Sequence, residues 1–378
     1  MSLSLLGRKR LLCSANNGVC VVMYQPLLRF LEQDDRIKLL HTAYLSHTRR
    51  IDKKDTEDLR GFFQRFGITK GVTHYRMMRF MPIDLYLSPN FSERLIPKFA
   101  KTKVQMFHGV SFKNCAVTDK TYAFDRLFLP GPYHRRRFLE RGLYKDGDPR
   151  LVMIGLPKLD RLVDGSIDRF QVLAKLGADP TKKTVLYAPT GDEGNSLHRN
   201  GMDIIETMLG QDVNFIVKPH DHAMRDKSCG IDWRAKLATW KHPRLFVDLG
   251  SDVVPLLAAA DILITDASSV AFEYTLLDRP IVFWDVPEIM TGKRAAQMDL
   301  STWGRKGGDI VDSRASLEKT VTRLLDDPSE KSELRRKIAN DLFYKPGTAA
   351  QRAVRRIYHE LNMEPSDAVK HADAAVVG

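Results

Sequence analysis

Two serines close behind an acid, Asp266-Ala267-Ser268-Ser269, follow the apolar run Ile262 to Thr265 and precede a helical pattern from Val270 to Leu277. A strand that hands over to a helix at this point leaves unpaired N–H groups and a partial positive charge at the helix start. Ser268 and Ser269 add hydroxyls where a phosphate would dock. The alternative is that one of them is simply the N-cap, a role serine fills on any helix. Glu273, one turn inside the helix, could accept hydrogen bonds from ribose hydroxyls or be an ordinary solvated helix residue.

Lys218-Pro219-His220 puts a fixed positive charge and an imidazole on one stiffened turn, a pair suited to a diphosphate. A loop proline with two solvated neighbours is the plainer reading. His108-Gly109 joins an imidazole to a residue that permits a sharp turn and close ligand approach. A partly buried, satisfied histidine is the competing account there. Pro189-Thr190 closes another apolar run, Lys183 to Ala188. Arg135, Arg136, Arg137 and Arg141, interleaved with Phe138 and Leu139, form a basic cluster that reads either as a solvated helix face or as a membrane or polyanion patch.

The elements that must carry these residues alternate. Strands are expected at Leu11 to Asn16, Ile37 to Leu45, Met81 to Ser88, Val104 to Phe107, Arg126 to Leu129 and Leu151 to Ile154, with helices at Val19 to Glu32, at Asp55 to Phe66 and after Pro132. The pattern loosens between Asp160 and Pro180 and then restarts. Strands follow at Lys183 to Ala188, Val213 to Val217, Leu245 to Leu249, Ile262 to Thr265 and Ile281 to Trp284, with helices at Met202 to Leu209, Val253 to Ala260, Ser316 to Leu325, Glu330 to Tyr344 and beyond Gly347. Alternation of this kind predicts an α/β protein of two Rossmann-like domains with parallel sheets facing a cleft. The expected division is residues 1–165 and 166–345, a closing helix over 346–363 and a flexible tail over 364–378. In such sheets ligands bind beyond the carboxyl ends of the strands, where His108, Thr190, Lys218, His220 and Asp266 all fall. One histidine from each domain would then serve a shared site, a layout suited to a transferase.

Composition bounds the partners. With 378 residues, 43% apolar and 28% charged, the chain suits two globular domains and excludes a disordered one. An excess of 59 basic over 47 acidic side chains, +12 in all, suits an anionic partner. The four cysteines, Cys13, Cys20, Cys115 and Cys229, form no Cys-x-x-Cys pair, so neither a metal site nor a disulfide framework is expected and a reducing cytoplasm fits. No apolar run reaches the ~18 residues that span a bilayer, so any membrane contact is expected to be peripheral. No nucleic-acid motif is present, and no cofactor is called for.

In order along the chain, His108-Gly109, Pro189-Thr190, Lys218-Pro219-His220 and Thr265-Asp266-Ala267-Ser268-Ser269-Val270-Ala271-Phe272-Glu273-Tyr274 followed by Leu277-Asp278-Arg279-Pro280-Ile281 resemble the CDP-glycerol glycerophosphotransferase family, which includes teichoic acid primases and polymerases. The resemblance covers roughly residues 100 to 355, and Gly347 to Arg352 is similar to the family's closing helix. It departs where the family has Thr-Pro-Leu after His-Gly and this chain has Val110-Ser111-Phe112, and where Ala267 replaces an aromatic residue. The resemblance implies a glycosyltransferase-B type fold and transfer of glycerol phosphate from CDP-glycerol, or a related CDP-polyol, to a hydroxyl of a lipid-linked or polymeric acceptor at the inner face of the membrane. It also implies that His108 and His220 are the essential histidines: His108 acts as general base, and Lys218, His220, Ser268 and Ser269 hold the diphosphate without a metal. Gly109, Pro189, Thr190, Asp266 and Glu273 complete the implied donor site. A nucleotide-sugar glycosyltransferase or UDP-sugar 2-epimerase of the same fold stays open beside this reading, as does a non-catalytic polyanion-binding protein.

Overall fold

The computed structural model describes residues 7–45, 58–110, 117–225, 229–291 and 298–374. Two compact units result, the first built from residues 1–108, 117–160 and 343–378 and the second from 109–116 and 161–342. Ser111, Phe112, Cys115 and the expected helix start at Asp55 lie outside the described residues.

Among the described residues the first unit holds six strands: β1 (Lys9–Ala15), β2 (Ile37–Ala43), β3 (Ile83–Ser88), β4 (Ala100–Met106), β5 (Arg126–Leu129) and β6 (Leu151–Met153). They pair in parallel in the order β2-β1-β3-β4-β5-β6. The order reverses between β1 and β3, the point at which a doubly wound sheet opens a crevice. Near-continuous apolar runs such as Leu11-Leu12-Cys13 are what a sheet covered on both faces requires. The first helix, Gly18–Leu31, starts where Asn17 Oδ1 accepts the Cys20 N–H at 3.1 Å, and it buries Val21, Met23, Tyr24, Leu27 and Leu31. Each such side chain contributes roughly 1.5–3 kcal/mol by leaving water.

The second unit repeats the plan with β7 (Thr184–Tyr187), β8 (Asn214–Val217), β9 (Leu245–Val247), β10 (Ile262–Thr265), β11 (Ile281–Trp284) and β12 (Asp309–Val311). The parallel order is β12-β11-β10-β7-β8-β9, so here the reversal falls between β7 and β10. The two-sheet α/β expectation therefore holds. Strand β12 was not among the expected strands, being three residues long with a charged first residue.

The chain end differs from expectation. Residues from 364 onward are not a frayed tail throughout: a helix covers Asp367–Ala374, and Val369 on it is fully buried. The helix before it, Ala349–Glu360, buries Ala349, Ala350, Ala353, Val354, Ile357 and Tyr358. Its Tyr358 donates to Asp34 at 2.7 Å and its Glu360 accepts from Arg126 at 2.8 Å, tying residues 343–374 into the first unit. Among the described residues no helix is long and apolar enough to cross a membrane.

Candidate active site

In the second unit the three loops that carry most of the implied donor residues leave neighbouring strands, β10, β7 and β8, at their carboxyl ends. Asp266 laces the first two together. It is fully buried; Oδ1 accepts the Thr190 N–H at 2.7 Å and the Ala267 N–H at 2.6 Å, while Oδ2 accepts the Ser196 N–H at 2.9 Å and the Ser196 hydroxyl at 2.8 Å. Four donors on one carboxylate make it a strut across the point where the sheet order reverses, so it frames the site from within. Thr190 and Pro189 are buried with it.

Ser269 stands at the N-cap of the short helix Val270–Tyr274, yet its side chain makes no capping bond. The simple capping role open to it in the sequence is therefore not what it does. Ser268 is buried and Ser269 half-buried. Glu273 is 1% exposed, so the solvated alternative fails for it. Gly109 clusters with this unit, where a Cβ added to it would lie 3.5 Å from Ser269 Oγ and 3.6 Å from Glu273 Oε1.

At the end of β8, Lys218 Nζ donates to Gly250 O at 2.5 Å. Burial pushes its ammonium down, and Asp248, Asp221 and Asp252 oppose that push. His220 is accessible to solvent, and its Nδ1 accepts the His222 N–H at 3.1 Å. An acceptor Nδ1 fixes the neutral ring as the Nε2–H tautomer. Crowding by protein, with the neighbouring His222 ring, lowers His220 to about 4. The composition of the loop after β7 gave no direct sign of Gly191, but His220 depends on it: the imidazole occupies the space a side chain at 191 would need.

His108 follows β4 in the first unit. Its Nδ1 lies 3.0 Å from Pro89 O, and since a carbonyl only accepts, the proton sits on Nδ1 and the Nε2 lone pair is open. Burial lowers its proton affinity, and the Lys158 charge adds to that; its ring remains solvent-accessible. Beside it His134, on the helix Pro132–Glu140, is 3% exposed and packs on Phe107 with ring centroids 4.6 Å apart.

The basic cluster is matched locally. Arg135 pairs with Asp146, Arg137 with Glu140 at 2.6 Å and Arg136 with Glu140 at 3.9 Å, while Arg141 donates to Val117 O at 2.6 Å. Among the described residues no group of three or more His, Cys, Asp or Glu is placed to hold a metal ion.

A family model described as CDP-Glycerol:Poly(glycerophosphate) glycerophosphotransferase matches residues 83–359, more than half of the chain. The chain belongs to this family. Family membership thus begins ahead of β4 and runs through the helix Ala349–Glu360, wider than the motifs alone reached. A teichoic acid poly(glycerol phosphate) polymerase of Staphylococcus epidermidis is 26% identical over 231 residues, 53% of this chain and 31% of that one. A teichoic acid poly(ribitol-phosphate) polymerase of Bacillus spizizenii is 28% identical over 211 residues, 48% of this chain and 31% of that one. The chain thus spans about a third of the length of these two relatives. The solved structure of the wall teichoic acid polymerase TagF superposes with a TM-score of 0.66 at 16% identity, covering 94% of this chain and 89% of that one, which shows that the fold is shared.

Proposed function

We propose that this chain transfers glycerol phosphate, or a related polyol phosphate, from a CDP-activated donor to a hydroxyl of a polymeric or lipid-linked acceptor and releases CMP. The observation that carries the reading is the opposite tautomers of two histidines. His108, with its proton held on Nδ1 by Pro89 O, offers a basic Nε2; His220, with Nδ1 occupied by the His222 N–H, offers an Nε2–H. Attack on phosphorus needs one group to take a proton from the incoming hydroxyl and another to compensate charge on the departing phosphate. Each imidazole is set for one of those tasks.

In this reading the acceptor hydroxyl gives its proton to His108 Nε2 as its oxygen bonds to the phosphorus of the glycerol phosphate. The bond from that phosphorus to the CMP oxygen breaks, and His220 Nε2–H with Lys218 stabilises the new charge. Ser268 and Ser269 hold the diphosphate, Glu273 faces the ribose, Gly109 admits the donor, and the loop Pro189-Thr190 is held in place by Asp266. The low proton affinity of His108 keeps it unprotonated at neutral pH. The net charge of +12 is consistent with an acceptor presented at the anionic inner face of a membrane.

The test is nucleotide release from a panel of CDP-glycerol, CDP-ribitol and UDP-sugars, with and without an oligomeric glycerol phosphate acceptor. CMP release that requires the acceptor, and that falls about 10²-fold or more in both His108→Ala and His220→Ala, is expected. Release of UDP alone, or full turnover in both variants, would overturn the reading.

A further inference from the structure

Among the described residues of the first unit, Met77 (63%), Phe80 (60%) and Phe99 (59%) are large apolar side chains left exposed on two segments that are hydrogen-bonded to one another. The short helix Tyr75–Met78 turns Met78 inward and leaves Met77 outside. Phe80 follows one turn on, its N–H donating to Met77 O at 3.3 Å. Backbone bonds tie this turn to the chain that enters β4: the Lys98 N–H donates to Arg79 O at 2.9 Å, and the Ile83 N–H donates to Phe99 O at 3.0 Å. The Lys98 ammonium lies 5.3 Å from the centre of the Phe80 ring. Phe80 and Phe99 are thus fixed beside the amino ends of β3 and β4.

Large apolar side chains gathered on a surface mark a contact, and the charge around them says with what. Residues 70–82 carry Lys70, Arg76 and Arg79 and no acid, and residues 94–103 carry Arg94, Lys98, Lys101 and Lys103 and no acid. Of the acids that flank them in sequence, Asp84 is already held by Lys101 at 2.8 Å and accepts the Arg10 N–H at 2.9 Å, which leaves Glu93 against the remaining cations. Among the described residues Arg76, Arg79 and Lys98 form no ion pair. The arginines of the helix Pro132–Glu140 are, by contrast, matched by Asp146 and Glu140. The core of a protein interface is depleted of lysine, whereas an anionic leaflet attracts lysine and arginine and takes apolar side chains at headgroup depth.

We propose that this surface, Met77, Phe80 and Phe99 with Arg76, Arg79 and Lys98, is where the first unit rests on an anionic lipid bilayer. The apolar side chains enter the boundary between headgroups and acyl chains, and the long basic side chains reach back to the lipid phosphates. Phe99 immediately precedes β4 and His108 follows it, so the length of that strand, about 20 Å, separates the lipid contact from the histidine. That a lipid-linked acceptor is met at this surface rests on the transferase reading above; the lipid contact itself does not.

The experiment sediments the full chain at low salt with vesicles of phosphatidylcholine alone and of phosphatidylcholine with about one third phosphatidylglycerol. The unmutated chain is expected on the anionic vesicles. Phe80→Ser with Phe99→Ser should lower that partition about tenfold, and Arg76→Gln, Arg79→Gln and Lys98→Gln together should lower it about tenfold on the anionic vesicles only. Because these side chains are on the surface, melting temperatures should stay within about 2 °C, and CMP release with a short water-soluble acceptor within about twofold. No partition by the unmutated chain, or equal partition by either variant, overturns the surface. A chain that stays off vesicles but changes from dimer to monomer on Phe80→Ser with Phe99→Ser overturns it too, by marking the patch as a contact between copies. Absence of CMP release from every CDP donor would remove the transferase reading, while the vesicle partition still judges the lipid contact.

Discussion

The ring of His220 rests on the backbone of Gly191, so close that a Cβ on residue 191 would fall 2.8 Å from the imidazole Cγ. The loop after β7 therefore sets the position of the histidine after β8, and only glycine leaves room for it. Gly191→Ala should push the ring aside without disturbing the core. The expected result is a fall in CMP release of at least about tenfold with a melting temperature within about 2 °C, because misplacing a reacting group costs rate more than stability. Unchanged turnover in Gly191→Ala would show that His220 need not sit where it does.

Asp266 is expected to be a stability residue first. Replacing it with alanine leaves the Thr190 and Ser196 N–H groups buried without an acceptor, at a cost of about 3–5 kcal/mol. Urea denaturation measures this directly. A loss below about 1 kcal/mol would contradict the strut role.

Two buried imidazoles predict acid sensitivity. His41, packed between Tyr24 and Phe63, and His134, packed on Phe107 and Phe138, are each lowered by burial to about 4. An unfolded histidine binds its proton near pH 6.5, so between about 6.5 and 4 the unfolded chain holds more protons than the folded one. Stability should therefore be full above about pH 6.5 and decline as pH falls toward 4, by roughly 3 kcal/mol for each ring. His134→Phe keeps the aromatic packing and removes the proton site. Its unfolding free energy should fall less steeply with acid, and an identical slope would assign the sensitivity elsewhere.

The arginine cluster should contribute little to surface binding. With Asp146 and Glu140 already paired to Arg135, Arg136 and Arg137, replacing the three by glutamine is expected to lower partition onto vesicles containing anionic lipid by no more than about twofold. A tenfold loss would restore the patch as a membrane contact.

The parts of the fold that repeat in sequence were readable: apolar strands such as Ile262 to Thr265 and amphipathic helices such as Gly18–Leu31 announce themselves by period. Strand β12 did not, because Asp309–Val311 is too short to show one. Neither did the helix Asp367–Ala374, whose small polar residues resemble a frayed end until Val369 is seen buried. At the candidate site, the histidines could be named from their strand-end positions, but their tautomers depend on backbone partners, Pro89 O and the His222 N–H. Asp266 stood among the donor residues because it closes a strand at the carboxyl end of the sheet, and only geometry shows its oxygens taken up inside the protein. The burial of Lys158 was not readable, because it comes from contacts of Pro157–Leu159 with helices far away in sequence.

Residues 343–374 complete the unit that residues 9–15 begin. During synthesis at ~5–20 residues per second, nearly all of the second unit leaves the ribosome as one stretch and can reach its native state early, whereas the first must wait for Tyr358 to meet Asp34 and for Asp160 to find Ala349. Nascent chains of this protein therefore hold a first sheet that still lacks the helices Ala349–Glu360 and Asp367–Ala374 while the rest of the message is read. Premature stops after position 342 should spare the later-encoded unit and send the earlier-encoded one to chaperones and proteases.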